Sequence, residues 1–167
     1  MMHWYVVYTK AGQERLAEGN LRAQGFETYL PRLASRRKGA PRGVEVTVPM
    51  FSRYIFVRID IDAAPWRSIN GTFGVSNIVS FGERPARLPD AVIAELRSRE
   101  DDDGIVRLPT VAPFRPGESL EIADGPLSEV RCLFQARTSQ ERGIVLMSLL
   151  GRQVPVRVRQ EKLRRAS

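Results

Sequence analysis

The chain has one cysteine, Cys132, and one histidine, His3. A single cysteine closes no internal disulfide, so a reducing compartment, the cytoplasm, is expected. A lone imidazole near a fraying terminus supplies no His-based triad. A structural zinc site takes about four nitrogen or sulfur ligands, and Cys132 and His3 are the only two such groups. There is no Walker-type phosphate loop and no dinucleotide fingerprint after a strand. Asp60 and Asp62 flank Ile61 and read as a solvated turn at a strand end. Cys132 lies in an apolar run and reads as a small buried hydrophobe, not a nucleophile. These absences argue against an enzyme and against any metal or cofactor. No apolar run approaches the roughly 20 residues of a membrane span. The Met1-Met2-His3 start runs straight into a strand pattern, without the charged and apolar regions of a secretory signal. A binding protein remains.

The 167 residues suit one domain or two small ones, and a 43% hydrophobic content can build a core. The formal net charge of +7 favours an anionic partner such as nucleic acid, although plain solubility is served equally well. Residues 1–100 hold fifteen basic and ten acidic side chains; residues 104–167 hold eleven and six. Between them Asp101-Asp102-Asp103 reads as a solvated spacer between two basic modules.

Periodicity sets out the first module. "WYVVYTK" (4–10) is a β-rich run, apolar on both faces. Gly12 to Gln24 reads as a helix with Leu16, Ala17 and Leu21 on its stripe, ended by Gly25. "ETYLPRL" (27–33) is extended, and "ASRRKGAPRG" (34–43) is a basic loop. "VEVTVPMF" (44–51) and "RYIFVRI" (53–59) read as paired strands, with a short helix near 65–70. "GVSNIVSFG" (74–82) is a strand, and Pro89–Arg99 is a helix carrying Val92, Ile93 and Leu96. The order β-α-β-β-α-β-α predicts an α+β layer with an antiparallel sheet over residues 1–100.

Residues 101–112 read as a linker, and residues 113–167 as a small barrel of about five short strands. Its runs are "SLEIA", "EVRCLF", "GIVLMSLL" and "QVPVRVR". "PLSEVRCLFQARTSQERG" (126–143) also carries a helical pattern, with Val130, Leu133 and Phe134 at i, i+3 and i+4. Short apolar runs are ambiguous between helix and strand.

The stretch "VPMFSRYIFVRI" (48–59) is apolar on both sides. Read as one strand, it puts Phe51, Arg53, Ile55, Val57 and Ile59 on one face, and Ser52, Tyr54, Phe56 and Arg58 on the other. With helices on one face only, the other stays open. An open cluster of aromatics is a binding patch.

Five ordered blocks resemble the NusG family of transcription elongation factors over nearly the whole chain. "WYVVYTKAGQE" (4–14) is similar to the family's opening strand and helix start, and "PMFSRYIFVRI" (49–59) to its central motif. "INGTFGVSNIVSFG" (69–82) is similar to its third block. "FRPGESLEIADGPL" (114–127) and "LLGRQVPVRV" (149–158) resemble the ends of its C-terminal KOW domain. "GVSNIVSFGERPARLPDAVIAEL" (74–96) is closer to the specialised RfaH branch than to the housekeeping factor.

The resemblance implies a non-catalytic, monomeric factor whose apolar sheet face docks the clamp helices of the RNA polymerase β′ subunit. Tyr8, Phe51, Tyr54, Phe56, Phe81 and Ile93 occupy the matching positions. In the RfaH branch the C-terminal domain itself covers this face as an α-helical hairpin, the alternative to the KOW barrel here. Lys10, Gln13, Asn70 and Thr72 stand where that branch meets non-template DNA in the transcription bubble. Phe73 replaces a basic residue and is suited to stacking on an unpaired base. Asn20 replaces a histidine, so a different DNA element is expected. The loop Arg36-Arg37-Lys38…Arg42 is placed to meet upstream DNA phosphates. Trp66 and Arg67, in "PWRS", stand at the contact with the polymerase β subunit but depart from the branch's His/Thr run. Cys132 stands where a glycine is usual in the KOW domain. Leu127 and Val130 replace aromatics of the housekeeping factor, which argues against Rho recruitment and leaves coupling to ribosomal protein S10 open. The implied function is a specialised, operon-specific elongation and antitermination factor. The alternatives are a general NusG-type factor coupled to Rho or the ribosome, and a KOW-type RNA-binding module.

Overall fold

The computed structural model describes residues 1–35, 46–107, 133 and 136–152. At its centre is β1 (His3–Thr9), whose seven residues are apolar on both sides. It pairs antiparallel with β5 (Tyr54–Ile59), placing Val6 opposite Phe56 and Tyr8 opposite Tyr54. β2 (Glu27–Tyr29) flanks β5. On the other edge of β1, β6 (Val75–Ile78) and β9 (Arg87–Leu88) pair end to end with its two halves. Two ribbons stand off this sheet: β3 (Arg32–Ser35) with β4 (Val46–Pro49), and β7 (Ser80–Phe81) with β8 (Arg84–Pro85). A 3-10 turn spans Trp66–Gly71. The mixed α+β architecture with an antiparallel sheet agrees with the sequence.

Helix α1 (Glu14–Ala23) buries Ala17 and Leu21 against one sheet face, packing with Tyr5, Val7, Ile55, Val57 and Ile59. It stops where Gly25 takes φ +93, a left-handed conformation that costs glycine little. Helix α2 (Asp90–Ser98) buries Val92, Ile93 and Leu96 on the opposite face with Trp4, Val6 and Phe56. Residues 101–107, where the linker was expected, fold back on the domain. Ile105 and Val106 are buried, and Val106 N–H donates to the Arg32 carbonyl at 2.9 Å. The Asp101 carboxylate caps the turn, accepting from the amides of Asp103 and Ile105.

Three expectations are corrected. β4 does not pair with β5; it pairs with β3, and Met50 N–H extends that ribbon to the Pro31 carbonyl at 2.8 Å. The run 48–59 is not one strand, because the chain turns at Arg53, which has φ +72. The Glu14 carboxylate, accepting from Arg53 N–H at 3.0 Å, holds that turn. Alternation therefore restarts at Tyr54, and Phe51 joins the face of Phe56, not that of Ile55.

The third correction concerns the open face. "GIVLMSLL", read as a barrel strand, lies within helix α3 (Ser139–Arg152). Arg142, Gly143, Leu146, Leu149 and Leu150 are buried, a stripe at i, i+1, i+4, i+7 and i+8. Leu133 is also helical and buried. The helix start has a two-way cap. Thr138 Oγ1 accepts from Glu141 N–H at 3.1 Å, and the Glu141 carboxylate accepts from Arg137 N–H at 2.7 Å. The runs "SLEIA" and "QVPVRVR", and all of "EVRCLF" except Leu133, lie outside the described residues. So do loop residues Arg36–Arg42, Leu127, Val130 and Cys132.

Candidate functional site: an aromatic sheet face under the C-terminal helix

Tyr8 and Tyr54 face each other from adjacent strands, their rings 5.3 Å apart at 49°. Phe51 meets Phe56 edge-on at 5.6 Å, and Tyr29 continues the row 6.3 Å from Phe56. Such tilted and edge-on pairs suit the aromatic quadrupole. All six residues of the proposed face, Tyr8, Phe51, Tyr54, Phe56, Phe81 and Ile93, belong to or pack on one apolar cluster. The same cluster holds Leu133, Leu146, Leu149 and Leu150. Phe51 and Phe56 are fully buried, while Tyr8, Tyr54 and Phe81 are half-buried. Burying each leucine contributes on the order of 1.5–3 kcal/mol, so α3 is a substantial cover.

Two contacts set the position of α3. Gly143 abuts the Tyr54 ring: a Cβ there would lie 3.2 Å from Tyr54 Cε2. Beside it, the buried Arg142 donates from Nε to the Met50 carbonyl at 2.6 Å and from Nη1 to the Ala136 carbonyl at 3.3 Å. Burial pulls the Arg142 pKa down, and Glu141 opposes this. Burial also raises the Tyr54 hydroxyl, assisted by Tyr8 and opposed by Arg53. The Arg53 guanidinium lies 4.4 Å from the Tyr8 ring centre.

The residues proposed for DNA lie elsewhere. Lys10, Asn70 and Phe73 are exposed, and Gln13 is half-buried. Phe73 is 82% exposed, a large aromatic with no cover. Its position follows from Gly74, which has φ +90 and where a Cβ would sit 2.9 Å from Ala17 N. That approach presses the segment onto α1. Lys10 N–H donates to the Gly74 carbonyl at 2.9 Å, and Asn20 Nδ2 donates to the Phe73 carbonyl at 3.1 Å. Thr72 is buried; its hydroxyl accepts from Gln24 Nε2 at 2.8 Å and donates to the Ser68 carbonyl at 3.1 Å. Asn70 Oδ1 accepts from Ile78 N–H at 2.8 Å. Trp66 packs on the α1 side of the sheet, with the Arg67 guanidinium 5.4 Å from its ring centre. Trp66 is thus on the layer opposite the aromatic face.

Sequence reasoning held a helical C-terminal cover only as the alternative to the barrel and did not name the residues that form it: Arg142, Gly143, Leu146, Leu149 and Leu150. The signal was "TSQE" (138–141), a capping-box pattern followed by a helical stripe. Among the described residues no three His, Cys, Asp or Glu side chains group to hold a metal, and no helix is long and apolar enough to cross a membrane.

The family described as "Transcription termination factor nusG" matches residues 2–97. The Transcription termination/antitermination protein NusG of Thermus thermophilus is 27% identical over 174 residues, covering 93% of this chain and 94% of that protein. The protein of the same description from Helicobacter pylori is 22% identical over 171 residues, covering 95% of each. A solved structure, "Domain interaction in Thermotoga maritima NusG", is a distant likeness, with a TM-score of 0.38 at 20% identity over 56% of this chain and 54% of that one. With more than half its length matched by the family, from the strand that carries Tyr8 to the helix that carries Ile93, the chain belongs to the NusG family of transcription termination/antitermination factors.

Proposed function

We propose that this protein is a specialised, RfaH-like elongation and antitermination factor that grips RNA polymerase through its aromatic sheet face. The β′ clamp helices take the place now filled by α3. Trp66 and Arg67 on the opposite layer meet the β subunit. Bridging the two sides holds the polymerase clamp closed, suppresses pausing and promotes read-through. The mechanism is differential binding: a ligand that prefers the elongating state shifts the polymerase toward it. Lys10, Gln13 and the exposed Phe73 meet the non-template strand, with Phe73 stacking on an unpaired base. Asn70 and Thr72 shape the segment that presents Phe73.

The observation that carries this reading is α3 seated on Tyr54, Phe51 and Phe56. A face that fits a helix of its own chain offers the shape and apolarity that a helical partner needs. It also makes the resting protein closed, with α3 to be displaced before polymerase binds. The relatives from Thermus thermophilus and Helicobacter pylori, both named as termination/antitermination proteins, favour a second reading, a general factor acting on most transcripts.

The test is polymerase binding and pause suppression by two variants of the full chain. Leu149→Asp places a charge in the apolar cluster and frees α3; affinity for polymerase rises. Adding Tyr54→Ala to that variant costs about 2 kcal/mol or more of binding. Phe56 is a poorer probe, because truncating a fully buried Phe costs about 3–5 kcal/mol of fold stability. Undiminished pause suppression after Tyr54→Ala would remove this site from consideration. Occupancy along the genome separates the two readings: peaks at a few operons for a specialist, coverage tracking polymerase for a general factor.

A further inference from the structure

At the β2 edge of the sheet, between α1, β3 and the end of α2, lies a polar cleft of about 510 Å³. Four guanidiniums line it, those of Arg15, Arg22, Arg32 and Arg97, against the two carboxylates Glu18 and Glu100. Two of the arginines are committed. Arg22 donates to Thr28 Oγ1 at 2.8 Å and pairs with Glu18 at 3.5 Å. Arg15 donates to the Thr47 carbonyl at 3.1 Å and its hydroxyl at 2.8 Å. Glu100 accepts the Tyr29 hydroxyl at 2.5 Å.

Arg97 and Arg32 have no carboxylate partner among the described residues. Arg97 lays its guanidinium over Trp4 at 5.2 Å and over Tyr29 at 5.0 Å. A stacked guanidinium spends its flat face on the rings and keeps its in-plane N–H donors. Arg32 is half-buried and lies beside Gly104, where a Cβ would be 3.5 Å from its Nη2. Arg32, Arg97, Tyr29 and Gly104 line the same cleft. Glu100, whose carboxylate holds the Tyr29 hydroxyl, is the acid nearest them; one carboxylate leaves two guanidiniums with a net positive charge, and a bound anion offsets it.

We infer that this cleft is a binding site for a phosphate-bearing ligand, with Arg32 and Arg97 as its charged donors. A phosphate presents several strong acceptor oxygens and more than one negative charge, which matches two forked donors better than a single carboxylate does. The cleft's volume takes a group larger than a lone ion, such as a diphosphate. The cleft shares Tyr29 with the end of the aromatic row, and its lining does not include Phe73.

Inorganic pyrophosphate titrated into the full chain, followed by the arginine side-chain Nε–H resonances in NMR, tests the site. Arg32 and Arg97 should shift saturably, and the exposed Arg67 should not. Arg32→Gln weakens binding about tenfold, the worth of one charged hydrogen-bond donor; Arg67→Gln leaves it unchanged. Arg32→Gln carries the test even where Arg97→Gln disturbs the fold through Trp4. Shifts that never saturate, or equal affinity in Arg32→Gln and the parent chain, overturn the proposal and reduce the effect to screening of a basic surface. A single-stranded oligonucleotide added in competition identifies the source. Displacement of pyrophosphate makes the phosphates those of a nucleic-acid backbone; no displacement makes the ligand a small phosphorylated molecule.

Discussion

Arg142, on the C-terminal helix, donates from Nε to the carbonyl of Met50 at 2.6 Å, across 92 residues of sequence. The acceptor sits at the end of the β3–β4 ribbon, just before the turn that carries Phe51 and Arg53. A buried cation thereby ties the cover to the edge of the face it covers.

Replacing Arg142 by Ala removes that bond and leaves the Met50 carbonyl buried without this donor. A hydrogen bond to a charged group is worth about 1.5–3 kcal/mol. The expected outcome is α3 released more often, by that free energy, with the sheet unchanged. Amide hydrogen exchange reads it directly: α3 amides exchange faster while β1 and β5 amides keep their protection. Equal acceleration in both would mean that α3 and the sheet open as one unit.

Gly74 is the second position to change. With φ +90 and a Cβ 2.9 Å from the Ala17 backbone nitrogen, Gly74→Ala adds both strain and a clash with a rigid atom. A loss of about 1–3 kcal/mol is expected in chemical denaturation. The displaced segment also carries Phe73, so binding of single-stranded DNA should fall with it. Gly12→Ala, where φ is +72 but nothing lies within 4 Å, serves as the control for backbone strain alone.

Alkaline pH is the third test. Burial raises the Tyr29 hydroxyl above its ordinary value of 10.0, and the hydrogen bond to Glu100 raises it further. The fold therefore keeps Tyr29 neutral where the unfolded chain ionises it. Its contribution is fully present below about pH 10 and is lost as pH climbs from there through the folded value. Tyr54 shifts in the same direction, mainly through burial. Stability measured by denaturation should decline above about pH 10, and Tyr29→Phe should flatten that decline. An unchanged slope in Tyr29→Phe would assign the effect to other groups.

The motifs of the first hundred residues were legible because each element carries its own period. The alternation Trp4, Val6, Tyr8 against Tyr5, Val7, Thr9 reads as a strand apolar on both faces, and each face packs into its own apolar cluster. Ala17 and Leu21 read as one helix face, and both are buried. The convergence of Tyr8, Tyr54 and Phe81 was less accessible, because register, not local pattern, sets it. Phe51 shares the face of Phe56 for a reason the alternation hid. Its turn at Arg53 is held by Glu14, 39 residues away.

The sequence by itself determined the antiparallel α+β domain, its central strands, its two early helices and its membership in the family. Local periodicity and ordered motifs are enough for that. The partner of β4 and the form of "GIVLMSLL" were decided only by tertiary structure. Leu146, Leu149 and Leu150 satisfy a short strand as readily as a helix when read alone. The aromatic face, which needs an apolar cover, resolves the choice. A helix from Ser139 presents all three leucines, Gly143 and Arg142 on one side, and that side fits against Tyr54, Phe56 and Met50.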